Sequence, residues 1–120
     1  MKVLGRGSFG SVYLIKKKQT QQERSLLYAL KVVKKGYNQE LEQILKNEKN
    51  ILSQLKSPFI VKYEFFVESK NKLHMGLEYC ARGDLFEYIT DKTKDNNNIA
   101  KRDIQFMGAC ILLGIEYLHS

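Results

Sequence analysis

Long apolar runs are absent from this chain of 120 residues, and cysteine is scarce. The longest apolar run, residues 106–115, has ten residues including two glycines, which is about half the length of a membrane-spanning helix. Only four residues precede Gly5, where a glycine-rich stretch begins, so we expect no signal peptide. The two cysteines, Cys80 and Cys110, are too few for a disulfide framework. We therefore expect a reducing compartment, the cytoplasm or the nucleus.

Acidic residues are in deficit, since 13 aspartates and glutamates stand against 20 lysines and arginines and leave a net charge of +7. Basic residues cluster at 16–18 and 34–35, next to polar turns. A nucleic-acid-binding domain is one interpretation, and it predicts binding that weakens steeply with salt. Most such clusters are solvated faces, so we expect no nucleic-acid partner. His74 and His119 lack metal-ligating partners at a suitable spacing, so we expect no metal site within the chain.

The most distinctive stretch, residues 4–12, contains Gly5, Gly7 and Gly10 in a Gly-x-Gly-x-x-Gly pattern. Glycines leave room for backbone N–H groups to reach phosphate oxygens. A dinucleotide-binding fold needs a helix directly after the third glycine, but the β-branched and aromatic residues at 12–15 predict a strand. The Gly-Lys-Ser/Thr sequence of a P-loop is also absent. The pattern therefore predicts a β-hairpin loop that covers a nucleotide.

Two charged residues occupy positions where the surrounding pattern is apolar. Lys31 lies in a strand predicted over 26–33. Glu48 lies in the apolar stripe of a helix that is predicted to be capped by Asn38 and to end at about residue 56. The stripe consists of Leu41, Leu45, Leu52 and Leu55. Either charge would be costly to bury alone, so we expect the two side chains to pair. A structural ion pair without a catalytic role is the alternative.

The remaining pattern predicts a sheet of five antiparallel strands, followed by helices. Further strands are expected at 2–5, 11–17, 59–68 and 72–78, and further helices at 84–90 and 99–119. Polar loops are expected at 19–25 and 91–98. From Ile104 onward the last helix is apolar nearly all round, which is typical of a helix inside a larger core.

Several of these segments resemble eukaryotic protein kinases. The glycine pattern ending at Val12, followed by Ala29-Leu30-Lys31, is similar to the glycine-rich loop and the strand lysine of that family. The likeness continues in the family's order through 47–49, 77–79 and 117–120. Within the family the chain is most similar to the serine/threonine cyclic-nucleotide-dependent (AGC) group, through segments 47–52, 57–61 and 78–86.

The resemblance implies an α+β fold with two parts. Residues 1–79 would form a protein-kinase-like N-lobe, with a five-stranded antiparallel sheet and one long regulatory helix. Residues 80–120 would form the hinge and the first helices of an incomplete, helical C-lobe. At 120 residues the chain has the size of one ordinary domain.

The resemblance also implies an ATP site. Glycines 5, 7 and 10 would clamp the phosphates, Lys31 would hold the α- and β-phosphates, and Glu48 would hold Lys31. Leu77 would be the gatekeeper, the Glu78 carbonyl and the Cys80 N–H would bond adenine, and Asp84 would accept from ribose hydroxyls. The full set of expected ATP contacts is Leu4, Gly5, Gly7, Ser8, Phe9, Gly10, Val12, Ala29, Lys31, Leu77, Glu78, Cys80 and Asp84, with Lys31 and Glu48 as the catalytic pair.

Two signatures of the family do not occur in the sequence. A catalytic loop of the His-Arg-Asp type and the Asp-Phe-Gly magnesium site are expected shortly after His119 and Ser120. The protein ligands of Mg²⁺ would therefore lie beyond Ser120, and we expect no phosphoryl transfer from these 120 residues alone. The expected substrate of the whole protein is a protein with a serine or threonine hydroxyl. A pseudokinase or regulatory module that binds nucleotide or a partner is the alternative.

Overall fold

The computed structural model describes residues 1–7, 10–17 and 26–120. The predicted ATP contacts Ser8 and Phe9, and the loop predicted over 19–25, lie outside these residues. The strands are β1 (Lys2–Gly7), β2 (Gly10–Lys16), β3 (Leu27–Lys34), β4 (Tyr63–Glu68) and β5 (Lys72–Glu78). The longer helices are α1 (Gln39–Leu52), α2 (Leu85–Lys92) and α3 (Lys101–His119), with a short 3₁₀ turn at Lys94–Asn96.

The five strands form one sheet in the order β1-β2-β3-β5-β4, and all of the pairings are antiparallel. This confirms the predicted five-stranded antiparallel sheet. β3 lies in the middle, where its β-branched and apolar residues are covered by neighbours on both sides. Within the register, Lys31 of β3 lies opposite Val12 of β2 and opposite Met75 of β5.

Two predicted boundaries are wrong at the connection between α1 and β4. The helix predicted to reach residue 56 ends at Leu52, and the strand predicted from residue 59 begins at Tyr63. After Leu52 the backbone continues in tighter turns, since the N–H groups of residues 54 and 55 bond carbonyls three residues earlier. A further turn at 57–60 follows, in which Ile60 donates to the Ser57 carbonyl, so Leu55 lies outside the helical stripe.

The core lies between the sheet and α1. Its buried side chains are Val33, Leu45, Leu73 and Met75, with Leu41, Leu52, Tyr63, Phe66 and Leu77 packed against them. The helical stripe predicted at positions 41, 45 and 52 therefore faces the sheet as expected. Burying a side chain of this size contributes about 1.5–3 kcal/mol, so these contacts hold α1 on the sheet.

α1 begins as the sequence predicts. The Asn38 side chain accepts a hydrogen bond from the backbone N–H of Leu41, at 3.1 Å, which satisfies one of the unpaired donors of the first turn. Glu40 and Glu42 lie in that turn, where the helix dipole favours negative charge. The start of the helix is thus fixed at Gln39, nine residues before the carboxylate of Glu48.

The described residues form two compact units. The first contains Met1–Lys56 and Val61–Tyr79, and the second contains Ser57–Ile60 and Cys80–Ser120. The boundary predicted between residues 79 and 80 stays a prediction. In the second unit, α3 leaves Phe106 and Leu112 about two-thirds exposed, and Gly114 is its one buried residue. None of the helices among the described residues combines the length and the apolar composition that a membrane span requires.

Candidate nucleotide site

The ion pair predicted between Lys31 and Glu48 is present. The lysine Nζ lies 2.7 Å from Oε2 of the glutamate, and both side chains are partly buried, with 22% and 32% exposed. β3 directs Lys31 to the face that also carries Val33, because residues two apart on a strand share a face. Val33 is buried in the core with Leu45 of α1, which explains how the strand and the helix bring the two charges together.

Three of the predicted ATP contacts within the sheet, Val12, Ala29 and Leu77, share this face with Lys31. Val12 lies opposite Lys31, and Leu77 lies opposite Ala29, two residues before Lys31 on β3. Directly opposed residues in an antiparallel pair point to the same face, so all four side chains belong to one surface. This surface combines small and apolar side chains with one ion pair.

The glycine-rich stretch forms the β1–β2 hairpin. Gly7 pairs with Gly10 at its tip, and Gly5 pairs with Val12 after an irregularity at Leu4. Gly10 has a φ of +109°, and a Cβ there would lie 2.3 Å from the carbonyl oxygen of Val32. Around Gly5 a Cβ would meet nothing within 4 Å. The third glycine is therefore required by the fold, whereas the first leaves space beside the hairpin.

The end of β5 carries two further predicted contacts. Leu77 packs partly against the core, and its role at the back of an adenine pocket stays a prediction. The N–H of Glu78 donates to the carbonyl of Lys62, at 2.9 Å, and ties the strand end to the residue before β4. The Glu78 carbonyl and its proposed bond to adenine stay predictions.

Cys80 and Asp84 belong to the second unit, and their roles at the nucleotide stay predictions. Cys80 is exposed. Asp84 has a structural role that the sequence reasoning missed, because its Oδ1 accepts from the Glu87 N–H at 2.8 Å while Glu87 Oε2 accepts from the Asp84 N–H at 3.2 Å. This capping box begins α2. The spacing of an aspartate and a glutamate three residues apart is its sequence signal.

The capping box makes Asp84 testable in two ways. Asp84→Asn keeps a good N-cap and should change the free energy of unfolding by no more than a few tenths of a kcal/mol. Asp84→Ala removes the cap and should cost about 0.5–2 kcal/mol. If the carboxylate also binds ribose, both variants weaken ATP binding relative to wild type. Urea unfolding and calorimetric ATP titration of the full-length protein separate the two effects, and wild-type ATP affinity in both variants would refute the ribose contact.

A second charged cluster was not predicted, because its members are far apart in the sequence. Glu68, at the end of β4, binds Lys35 through Oε1 at 2.7 Å, and Lys46 of α1 lies 3.9 Å from the same oxygen. The hydrogen bond from Lys35 and the charges of both lysines hold the pKa of Glu68 below its ordinary value. The carboxylate is therefore charged at neutral pH. Lys35, part of a basic cluster in the sequence, is thus engaged within the fold.

A cavity of about 410 Å³ lies on the first unit, beside the glycine hairpin. Arg6, Lys34 and Lys72 line it together with the start of α1, and no sequence pattern predicts it. Gly7 and Gly10, two of the predicted ATP contacts, also line this cavity, whereas Lys31 and Glu48 do not.

The described residues contain no cluster of three histidine, cysteine or acidic side chains that could hold a metal ion. Kinases hold Mg²⁺ through aspartate and asparagine side chains. The signatures that carry these side chains do not occur in this sequence, so no step through the metal follows from it.

Comparison with known proteins gives a match to the protein kinase domain over residues 1–120. Ribosomal protein S6 kinase alpha-1 of Rattus norvegicus is 35% identical over 121 residues, which cover all of this chain and 16% of that protein. Ribosomal protein S6 kinase alpha-3 of Homo sapiens is 36% identical, with the same coverage, and ribosomal protein S6 kinase 2 beta of Xenopus laevis is 34% identical over 18% of its length. The chain spans less than a fifth of the length of these relatives.

Proposed function

This chain belongs to the protein kinase family, and we propose that it is the ATP-binding part of a serine/threonine protein kinase. The whole protein would transfer the γ-phosphoryl group of ATP to a serine or threonine hydroxyl of a protein. The observation that carries this proposal is the Lys31–Glu48 ion pair, which lies on the same face as Val12, Ala29 and Leu77. The similarity to S6 kinases, which belong to the AGC group, supports serine and threonine, instead of tyrosine, as the residues that accept the phosphoryl group.

Each residue of the site has a proposed task. Lys31 binds oxygens of the α- and β-phosphates, and Glu48 keeps its ammonium at a fixed position, so little reorganisation is needed when ATP binds. Gly5, Gly7 and Gly10 let the hairpin backbone approach the phosphates. Val12, Ala29 and Leu77 offer apolar surface to adenine. The pair is more than half shielded from solvent, which strengthens its interaction with a phosphate relative to water.

Phosphoryl transfer requires groups that this sequence does not contain. The base that receives the substrate proton, and the side chains that hold Mg²⁺, belong to the His-Arg-Asp and Asp-Phe-Gly signatures. Bound Mg²⁺ would neutralise charge on the β- and γ-phosphates. We therefore propose that the 120 residues alone bind ATP without transferring phosphate, and that the whole protein acts in the cytoplasm or the nucleus.

The proposal is tested by incubating the full-length protein with Mg²⁺, γ-labelled ATP and a protein substrate rich in serine and threonine. We expect label on serine or threonine after acid hydrolysis, and no transfer by residues 1–120 alone. Label confined to tyrosine would contradict the proposed specificity. ATP binding without any transfer by the full-length protein would favour the pseudokinase alternative.

A further inference from the structure

Glu68 joins three separate elements of the first unit. It ends β4, it binds Lys35 in the connection between β3 and α1, and it lies within ion-pair distance of Lys46 on α1. Both lysines approach the same oxygen, Oε1, from different parts of the chain. A single carboxylate thus connects the start of the β3–α1 connection, the middle of α1 and the edge of the sheet.

Lys35 is fixed by more than the carboxylate. Its backbone N–H donates to the Asn71 carbonyl at 2.9 Å, and its Nζ donates to the Ser69 carbonyl at 3.3 Å. Only Gly36 and Tyr37 separate Lys35 from Asn38, which caps α1. The position of the first helical turn is therefore tied to the β4–β5 turn through a very short segment.

Lys46 and Lys49 contact two residues of β4 that lie two positions apart on the strand. Lys46 approaches Glu68, and Lys49 lies over the Phe66 ring, with its Nζ 5.6 Å from the ring centroid. Residues three apart are neighbours on a helix surface, so these two lysines form one edge of α1. Glu48 contacts β3 instead. Contacts to β4 and β3 together set the rotation of the helix about its axis.

We propose that Glu68 is a positioning residue for the nucleotide site. By binding both Lys35 and Lys46, it holds α1 at the position on the sheet, and at the rotation about the helix axis, where Glu48 reaches Lys31. The inference rests on the proposed function, since the ion pair matters for catalysis only if Lys31 binds ATP. Glu68 itself touches neither Lys31 nor Glu48 in any contact of the described residues, and acts through the helix.

The size of the effect follows from exposure. The Glu68 side chain is 44% exposed, and exposed ion pairs are weak. The two pairs together therefore favour the helix position in which Glu48 reaches Lys31 by only a modest factor. We expect Glu68→Gln to lower kcat/KM for ATP by about two- to tenfold. The protein substrate should be affected less, since its KM does not depend on the position of Lys31.

The experiment compares four variants of the full-length protein: Glu68→Gln, Lys46→Met, Glu48→Gln and the double variant Glu68→Gln/Glu48→Gln. Glu64→Gln is the matched control, because Glu64 is a glutamate on the same strand whose partner is Lys62, 3.3 Å away, instead of a lysine on α1. Lys46→Met should lower kcat/KM for ATP in the same direction as Glu68→Gln, and Glu64→Gln should leave it unchanged.

The double variant separates positioning from general stability. If Glu68 acts through Glu48, the substitution at 68 has almost no further effect once Glu48 is Gln, so the two losses are not multiplicative. Multiplicative losses, or equal losses in Glu68→Gln and Glu64→Gln, would overturn the inference while leaving the proposed function intact. Wild-type protein that neither binds nor uses ATP would instead overturn the proposed function, and this inference with it.

Discussion

Replacing Lys31 with methionine should lower kcat/KM for ATP by a factor of about 10² to 10³ in the full-length protein, which is the scale on which preorganised charged donors act in phosphoryl and acyl transfer. Methionine keeps the length and the apolar stem of the side chain but removes the ammonium that pairs with Glu48. Steady-state kinetics with ATP as the varied substrate measures this loss. The melting temperature should fall only modestly, because the Glu48 carboxylate, which loses its partner in this variant, is 32% exposed and can be hydrated.

Lys34→Met is the matched control for this prediction. Lys34 lies three positions along the same strand, opposite Lys72, and therefore on the other face of the sheet from Lys31. The Lys34→Met substitution removes the same charge from the same strand. Because the removed charge is exposed and lies on the other face, kcat/KM for ATP should stay within about a factor of two of the wild-type value. Equal losses in the two variants would indicate a general effect of net charge and would contradict the role given to Lys31.

Replacing Gly10 with alanine should destabilise the protein by about 2–4 kcal/mol, through strain and through a clash. Its φ of +109° is unfavourable for any residue with a Cβ, and the added carbon would lie 2.3 Å from the Val32 carbonyl oxygen. A backbone oxygen in a sheet cannot move aside as a flexible side chain can. Denaturant unfolding of the full-length protein measures the change.

Gly5→Ala is the corresponding control within the same hairpin. An added Cβ would meet nothing within 4 Å there, so the free energy of unfolding should change by less than about 0.5 kcal/mol. ATP affinity should nevertheless fall, if the hairpin backbone approaches the phosphates as proposed. Equal destabilisation by the two substitutions would contradict the distinction between a glycine needed by the fold and one needed by the ligand.

The sequence was sufficient to predict those features that depend on local pattern or on a charge in an apolar segment. The Lys31–Glu48 pair could be predicted, because each charge interrupts the apolar pattern of its own strand or helix. Each would be costly to bury unless an opposite charge lies beside it. The cap at Asn38 and the extent of β5 followed from local rules. The pairing of β3 with β5, which are not consecutive strands, could not be predicted from local rules.

Other features depend on tertiary geometry or were overlooked. Glu68 and its lysines have no local signal, since the charges are ordinary surface residues separated by more than 20 positions in the sequence. The early end of α1 was missed because Leu55 continues the apolar period, although the chain has already left the helix. The capping box at Asp84 does have a local signal, because an aspartate precedes a glutamate by three residues.

The most direct test of the account compares ATP with adenosine. Calorimetric titration of the full-length wild type and of Lys31→Met should show that the substitution weakens ATP binding at least about tenfold, the scale of one charge-assisted contact. Adenosine, which shares the base and the ribose but has no phosphates, should bind both proteins with the same affinity. Equal weakening of both ligands, or unchanged ATP affinity, would contradict the claim that Lys31 holds the nucleotide by its phosphates.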